Sequence, residues 1–320
     1  MLLVALPGEL LVKIVIAFGG NALLETTDSR DYATQVKRAY RAFDAIWKII
    51  SMEDVVITHG NGPQVGDILL RNQISDSLPP PMPLDTCGAM SQGLIGQIML
   101  EAYEMVRNYK GISKEAVVTV TRSIVDPEDK AFLEPTKPVG AVFSDEKARE
   151  LVNNNGWKMA KTEKGWRRVV PSPFPMEIVE RNAILSQLRS GFLPICTGGG
   201  GIPVIRKDKT LLGVEAVIDK DLASSVLASS IEADKLAILT DVKNVFINFG
   251  KPDQKALSQI TMEEGKDYLS KGFFGKGSME PKVRAALRFI EKGGKEAVIG
   301  SLSDALNVLT GKSGTRFVKS

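Results

Sequence analysis

Two lysines occupy positions that the local backbone disfavours. Lys220 lies in the segment AVIDKDLASSVLA, at the predicted start of a helix and directly after Asp219. Lys282 follows Pro281 in GSMEPKVRAALRFIEK, and since proline suits the first helical position, we expect this lysine in the first turn of a second helix. The positive end of a helix dipole opposes a lysine there by roughly 0.3–1 kcal/mol. Each lysine therefore needs a nearby negative charge.

Phosphoryl transfer would supply that negative charge. Its transition state spreads charge over the oxygens of the moving group, and fixed cations stabilise it without covalent chemistry. Lys137, which stands between two prolines in PTKP, is a third candidate for such a cation. The alternative is that each lysine forms a structural ion pair, Lys220 with its flanking aspartates and Lys282 with Glu280.

Three predicted strands end in glycine-rich turns, in the segments VKIVIAFGG, DVVITHGNG and FLPICTGGGG. At the carboxyl ends of parallel strands, glycine lets backbone N–H groups approach an anion closely. Asparagines in two of these turns could add side-chain donors, or could serve only the left-handed backbone of a turn. We expect an anion-binding floor formed by Gly19, Gly20, Asn21, Gly60, Asn61, Gly62, Gly199 and Gly200.

The common nucleotide-binding motifs are absent from the sequence. The GKS at residues 311–313 lacks the earlier glycine of a phosphate-binding loop, because Leu306 occupies that position. GGGGIP departs from the dinucleotide fingerprint, because Pro203 replaces the last glycine. These departures disfavour a P-loop enzyme and a dinucleotide-dependent oxidoreductase.

The residues that usually bind metals or perform acid–base chemistry are few. His59 is the single histidine, and Cys87 and Cys196 lie far apart among apolar or small neighbours. We interpret the cysteines as core residues and predict no metal-binding side chains. His59 precedes a glycine-rich turn, and a positional role is favoured over that of a general base because phosphoryl transfer to an anionic acceptor needs no base.

The elements that must position these residues alternate between short apolar strands and amphipathic helices. This alternation predicts an α/β fold with a mainly parallel central sheet between layers of helices. The proline-rich segment of about residues 125–175 interrupts the alternation and predicts an inserted lid. A surface hairpin without function is the alternative for this segment.

Composition limits the class of protein. The chain has 320 residues, a net charge of +3 and no apolar run of 18 residues. This charge is too small and too evenly spread to indicate nucleic-acid binding, and no membrane span is predicted. The apolar N-terminus is interrupted by Pro7, Gly8 and Glu9 and is a poor signal peptide, so we expect a cytoplasmic protein.

Several motifs together resemble those of carbamate kinases, within the amino acid kinase superfamily. They extend from about Lys13 to Phe317, and DKDLA, PTKPVG and GSMEPKV are the most specific among them. The others are AFGGNAL, HGNGPQVG, CGAMSQG, WRRVVPSP, GGGGIPV, VIDKDLA and LTDVKNVFINFG. The resemblance implies a three-layer α/β/α fold with a small protruding lid, usually as a homodimer.

The resemblance also implies the reaction and the division of labour along the chain. The reaction is the reversible one of carbamoyl phosphate with ADP, giving ATP and carbamate with Mg²⁺, in arginine metabolism. Residues 13–205 would form the carbamoyl phosphate-binding half, lid included, and residues 206–320 the nucleotide-binding half of one domain.

The resemblance further assigns roles to single residues. Lys220 and Lys282 would flank the transferring group, Lys137 would close over it, and Asp221 would hold the lysines in place. We also expect Asp221 to cap its helix. The residues near the nucleotide would be Thr240, Asp241, Phe246, Met279 and Pro281.

The sequence argues against two alternative functions. Acetylglutamate kinases place a lysine two residues before the paired glycines, where this chain has Ala17. An acceptor of that size also needs a pocket for its far end, which we cannot locate in the sequence. A catalytically silent sensor is expected to lack one of the lysines, yet Lys137, Lys220 and Lys282 are all present.

Overall fold

The computed structural model describes residues 11–20, 23–25, 28–74, 80–162, 165–275 and 277–320. Within them the helices are α1 (Tyr32–Met52), α2 (Gly62–Ile74), α3 (Leu84–Lys110), α4 (Asp145–Asn155), α5 (Arg181–Arg189), α6 (Lys220–Ser230), α7 (Met262–Ser270), α8 (Met279–Glu291) and α9 (Ala305–Leu309). The strands are β1 (Lys13–Phe18), β2 (Asp54–His59), β3 (Ala116–Val118), β4 (Arg122–Val125), β5 (Lys137–Phe143), β6 (Met159–Thr162), β7 (Gly165–Val170), β8 (Pro175–Ile178), β9 (Leu193–Cys196), β10 (Ile202–Lys207), β11 (Thr210–Gly213), β12 (Lys235–Thr240), β13 (Val245–Ile247), β14 (Lys255–Leu257), β15 (Gln259–Thr261), β16 (Glu296–Ser301) and β17 (Thr315–Val318).

The central sheet has eight strands among the described residues, in the order β15-β17-β16-β12-β1-β2-β9-β3. All neighbouring strands run parallel except β16 and β17, which are antiparallel. The carboxyl ends of β1, β2, β9 and β12 therefore point to the same edge of the sheet, where parallel α/β proteins bind ligands. This confirms the predicted α/β class with a mainly parallel sheet.

Helices cover both faces of this sheet, as the alternation of apolar side chains in its strands requires. Along β1, Val15 and Ala17 belong to one buried cluster, which includes residues of α6 and α8. Ile16 and Phe18 face the other way, into a cluster with residues of α1 and α3. The result is the predicted three-layer α/β/α arrangement.

The predicted insertion contains a separate antiparallel sheet, with strands in the order β5-β7-β6, and the helix α4. Val139 and Val170 of this sheet pack against Val65 and Leu69 of α2. We call the sheet and α4 the lid. The boundary predicted after residue 205 falls inside β10, and the division into two halves stays a prediction.

No helix in the part of the chain that the structure describes is long and apolar enough to cross a membrane.

Candidate functional site

The start of α6 places Lys220 at the carboxyl edge of the central sheet. Asp219 is the N-cap of this helix, and its Oδ1 accepts from the backbone N–H of Asp221 at 3.0 Å and of Leu222 at 3.4 Å. The expectation that Asp221 caps the helix is wrong. Asp219 has an extended backbone from which its carboxylate reaches the first free N–H groups, whereas Asp221 already lies in the first turn.

The carboxylate of Asp221 brings two lysines together. Lys220 donates to its Oδ1, and the Nζ of Lys282 lies 3.1 Å from its Oδ2. Asp221 is only 2% exposed, whereas the side chains of Lys220 and Lys282 are 12% and 17% exposed, so the carboxylate is removed from water and the two lysines keep limited access to it. These contacts differ in part from the predicted structural ion pairs. Lys220 pairs with only one of its flanking aspartates, Asp221. Lys282 pairs with Asp221 and not with Glu280, which pairs with Arg284.

The helix that carries Lys282 begins earlier than predicted. We expected Pro281 at its first position, but α8 starts at Met279 and places Pro281 third and Lys282 fourth. Proline is tolerated there because the N–H groups of the first turn have no partner within the helix. Lys282 also donates to the carbonyl oxygen of Ser278 at 3.2 Å, which keeps its amino group at the helix start.

Burial and mutual attraction set the charges of this cluster. Burial lowers the pKa of Lys220, and the nearby Lys282 adds to this effect while Asp221 opposes it. Burial also disfavours charge on Lys282, but the attraction and hydrogen bond of Asp221, together with the nearby Asp219 and Asp241, outweigh it and raise the pKa of Lys282. Burial alone would raise the pKa of Asp221, whereas the two lysines together lower it. Two cations thus share one carboxylate, and a second anion beside them would favour the charged form of both.

The first two glycine-rich turns meet at the stem of Lys220. A Cβ added to Gly60 would lie 3.4 Å from the Cδ of Lys220 and 3.6 Å from the Cα of Gly20. The N–H of Gly19 donates to the carbonyl of Leu239 at 2.8 Å, which ties the first turn to β12. A Cβ on Gly20 or Gly62 would meet no atom within 4 Å. The backbone therefore borders open space at these two positions; Asn21 lies outside the described residues.

The third glycine-rich turn follows β9 and packs on the second. Gly199 and Gly200 have φ values of +63° and +91°, and a Cβ on Gly199 would overlap the side chain of Asn61. The amide nitrogen of Asn61 donates to Ser91 Oγ at 2.8 Å. Thr197, before the glycines, has φ +54°, which is rare for a β-branched residue and is a strain that functional sites often retain.

His59 lies beneath the second turn and is 2% exposed. Its Nδ1 lies 3.0 Å from the carbonyl of Gly60, and a Cβ on Gly198 would come within 2.6 Å of its Nε2. Burial lowers the pKa of His59 to about 4, so the ring is neutral near pH 7 and Nδ1–H donates to Gly60. A neutral ring wedged between two turns supports them, in line with the favoured positional role.

The lid brings Lys137 to the same edge of the sheet. Its Nζ lies 3.1 Å from Oδ2 of Asp219, the residue that caps α6. The lid approaches α2 closely, since a Cβ on Gly66 would lie 3.2 Å from the Cα of Gly140. Three lysines and two aspartates therefore surround the start of α6.

The residues predicted near a nucleotide lie around the end of β12 and the start of α8. Thr240 Oγ1 donates to Asp241 at 2.9 Å, and Asp241 also raises the pKa of Lys282. Phe246 forms a ring pair with Phe249 at a centroid distance of 5.9 Å, and Phe249 is 67% exposed. Met279 and Pro281 form the half-buried first turn of α8.

Sequence reasoning missed several supporting residues. The sequence indicates Asp219 as an acid at the helix start and as an ion-pair partner of Lys220, but not its contact with Lys137. Ser224 Oγ donates to the carbonyl of Lys220 and bonds Thr58 on β2, each at 2.6 Å, which fixes α6 against the sheet. The serine four residues after Lys220 was the available signal, because such a hydroxyl can reach back one helical turn.

In the described ranges of the chain, no group of three or more His, Cys, Asp or Glu side chains could hold a metal ion. The two carboxylates nearest the lysines, Asp219 and Asp221, are engaged in ion pairs. Mg²⁺ is commonly bound through substrate phosphates with few protein ligands, so this donor set fits an ion that arrives with a nucleotide.

Comparison with known proteins places the chain in a family. Residues 12–301 match the model of the amino acid kinase family. The chain is 50% identical to a carbamate kinase of Thermoplasma acidophilum and 48% identical to one of Thermoplasma volcanium, over 96% of its length and 99% and 100% of theirs. The chain belongs to the carbamate kinases of the amino acid kinase family.

Solved structures agree with this membership of the carbamate kinase family. A carbamate kinase from Giardia lamblia bound to AMP-PNP is 46% identical, with a TM-score of 0.91 over 97% of this chain and 99% of that one. An N-acetylglutamate synthase from Neisseria gonorrhoeae has a TM-score of 0.56 at 13% identity, which shows a shared fold alone. The similarity to the solved carbamate kinase structure therefore covers the amino-acid sequence as well as the fold.

Proposed function

We propose that this chain catalyses reversible phosphoryl transfer between carbamoyl phosphate and ADP, giving ATP and carbamate. The observation that carries the proposal is the pair Lys220 and Lys282 on the two oxygens of Asp221, beside the glycine-rich turns. Full-length similarity to carbamate kinases supports the same reaction.

The geometry supplies charge stabilisation rather than covalent catalysis. As the bond between phosphorus and the carbamate oxygen breaks and the bond to the ADP oxygen forms, negative charge spreads over the three phosphoryl oxygens. Lys220 and Lys282 neutralise this charge, and Asp221 holds their amino groups in place so that little reorganisation is needed. Lys137 approaches from the lid and adds a third cation.

The glycine-rich turns bind the carbamoyl phosphate. The backbone at Gly20 and Gly62 borders open space, and donors there can reach an anion without a side chain in the way. Asn61, held by Ser91, belongs to the same wall, and Gly60, Gly199 and Gly200 shape it. Gly19 and Asn21 complete the proposed set.

The nucleotide binds on the other side of the lysines. The Giardia lamblia carbamate kinase bound to AMP-PNP supports a nucleotide site in this family. In this chain the ring pair of the half-buried Phe246 and the exposed Phe249 offers an apolar face for a base. The first turn of α8 and the end of β12 border the phosphates. Thr240, Asp241, Met279 and Pro281 are the further residues proposed there. Mg²⁺ would enter with the nucleotide and would supply additional charge neutralisation.

We further propose a homodimer in the cytoplasm, with a role in arginine metabolism. An exposed apolar stripe on α3 supports the dimer and consists of Met90, Leu94, Met105 and Tyr109. Their spacing of 4, 11 and 4 residues places them along one side of the helix, beside the terminal strand β3 of the described sheet.

The test measures ATP formation from ADP and carbamoyl phosphate in a coupled assay, with and without Mg²⁺. We expect ATP formation that depends on Mg²⁺ and on both substrates. The control runs the ATP-consuming direction and replaces the acceptor, carbamate, with N-acetylglutamate and other carboxylate derivatives. Phosphorylation of one of these without ATP formation from carbamoyl phosphate would contradict the proposal.

A further inference from the structure

Asp219 joins the lid to the helix that carries the central lysine. Its Oδ1 accepts from the backbone N–H groups of Asp221 and Leu222, and its Oδ2 lies 3.1 Å from Nζ of Lys137. One carboxylate thus contacts a helix start on one side and a residue of the lid, 82 positions away in sequence, on the other.

The ion pair is well placed to orient Lys137. Asp219 is half-buried, with a side chain 14% exposed, whereas that of Lys137 is 35% exposed. A lysine at this exposure has several rotamers available, and an ion pair with water on one side is weak unless its geometry is fixed. Here the backbone bonds of the helix start hold the carboxylate itself, so the acceptor is rigid before the lysine arrives.

The ion pair also links the charges of the whole cluster. Asp219 favours the charged form of both Lys220 and Lys282, although it contacts Lys137. Lysine and aspartate alternate from Lys137 through Asp219, Lys220 and Asp221 to Lys282, which separates like charges along the start of α6.

We propose that Asp219 is a positioning residue that aims the lid lysine Lys137 at the transferred phosphoryl group while it caps α6. The inference rests on the proposed role of Lys137. It goes beyond the roles assigned to the three lysines and Asp221, since Asp219 acts through Lys137 and through the helix and does not contact the reacting atoms.

The test separates the cap from the ion pair. Asparagine and serine cap helices about as well as aspartate, so Asp219→Asn and Asp219→Ser keep the helix start and remove the negative charge. We expect both variants to unfold at the same temperature as the wild type and to lose about tenfold in kcat/KM for carbamoyl phosphate, as for one charge-assisted hydrogen bond. The KM for ADP should stay within about twofold of the wild-type value, because the contacts of Asp221 with Lys220 and Lys282 are unchanged in both variants.

A double variant tests whether Asp219 acts through Lys137. If Asp219 acts through Lys137, adding Asp219→Asn to Lys137→Ala should cost less than about twofold more. Acylation of the Lys137 amino group by a succinimidyl ester, followed by mass spectrometry, should be faster in Asp219→Asn because the amino group is no longer held. The matched control is Asp31→Asn, at the N-cap of α1, whose carboxylate accepts from the N–H of Thr34 at 2.8 Å and has no lysine partner among the described contacts.

Three results would overturn the inference. Wild-type kcat/KM in both Asp219 variants would remove any positioning role. An equal loss with and without Lys137 would show that Asp219 acts by another route. Full activity of Lys137→Ala would contradict the role of that lysine, whereas absence of ATP formation by the wild type would contradict the proposed function itself.

Discussion

At the scale of single residues, one carboxylate governs two lysines. Asp221 contacts both amino groups, yet burial pulls the pKa of Lys220 down while the pKa of Lys282 is raised. The two cations exceed the one anion that they share, and this excess creates an affinity for a further anion. The helix dipole opposes Lys220 by roughly 0.3–1 kcal/mol. Loss of one electrostatic donor lowers the rate by about 10²–10³, equivalent to about 2.7–4 kcal/mol, so the effect of the dipole is the smaller of the two.

His59, the single histidine of the chain, should make the stability of the protein depend on pH. Its pKa is lowered from 6.5 to about 4 in the folded protein, so the unfolded chain binds the proton more readily between these two values. The stabilisation is complete above about pH 6.5 and is lost as the pH falls toward about 4, with a total on the order of 3 kcal/mol.

The measurement is the imidazole C–H signal in proton NMR, together with denaturant unfolding between pH 8 and pH 5. We expect a signal that does not titrate in this range and a free energy of unfolding that decreases below about pH 6.5. His59→Gln should remove that part of the pH dependence. A signal that titrates near pH 6.5 would show that the ring is accessible to water and would contradict the account.

At the scale of elements, the limits of sequence reasoning lie at helix starts. The alternation of strands and helices and the three glycine-rich turns were evident from periodicity and glycine. The N-cap of α6 and the first residue of α8 were assigned wrongly, because two acids flank Lys220 and because proline is tolerated at more than one position of a first turn.

Contacts between distant elements were the least predictable. The pairing of Lys137 with Asp219 depends on how the lid packs on α2, where Gly66 approaches Gly140, and no local pattern specifies that packing. The bond between Thr58 and Ser224 likewise joins two elements that are 166 positions apart. The resemblance to a family indicates the central lysines, but it does not indicate these contacts between elements.

The exposed face of α3 gives a prediction about assembly. If Met90, Leu94, Met105 and Tyr109 form a dimer interface, a charge at the centre of the stripe will be buried without a partner and will oppose association. We expect the wild type to be a dimer in light scattering after size-exclusion chromatography, and Leu94→Glu to shift it toward the monomer. Val152→Glu, at an exposed apolar residue of α4, is the matched control and should stay dimeric. A monomeric wild type, or a dimeric Leu94→Glu, would contradict this interface.

At the scale of the molecule, the fold explains how residues from distant parts of the chain meet. The parallel strands β1, β2, β9 and β12 end at one edge of the sheet, and that edge collects the three glycine-rich turns and the end of β12. The helices α6 and α8 pack together on one face and direct their N-terminal lysines toward the same place. Composition and strand pattern were sufficient to predict the sheet and its layers, because burial on both faces leaves a clear apolar signal.

The convergence of Lys220 and Lys282 is the central claim, and its most direct test is the rate of ATP formation in Lys220→Met and Lys282→Met. Methionine keeps most of the apolar stem, and in each variant Asp221 retains one lysine, so thermal unfolding should still show a folded protein. Lys266→Ala, which removes an exposed lysine on α7, serves as the control. We predict that kcat falls by about 10²–10³ in each methionine variant and stays at the wild-type value in the control. Near-wild-type ATP formation by both folded methionine variants would contradict the account.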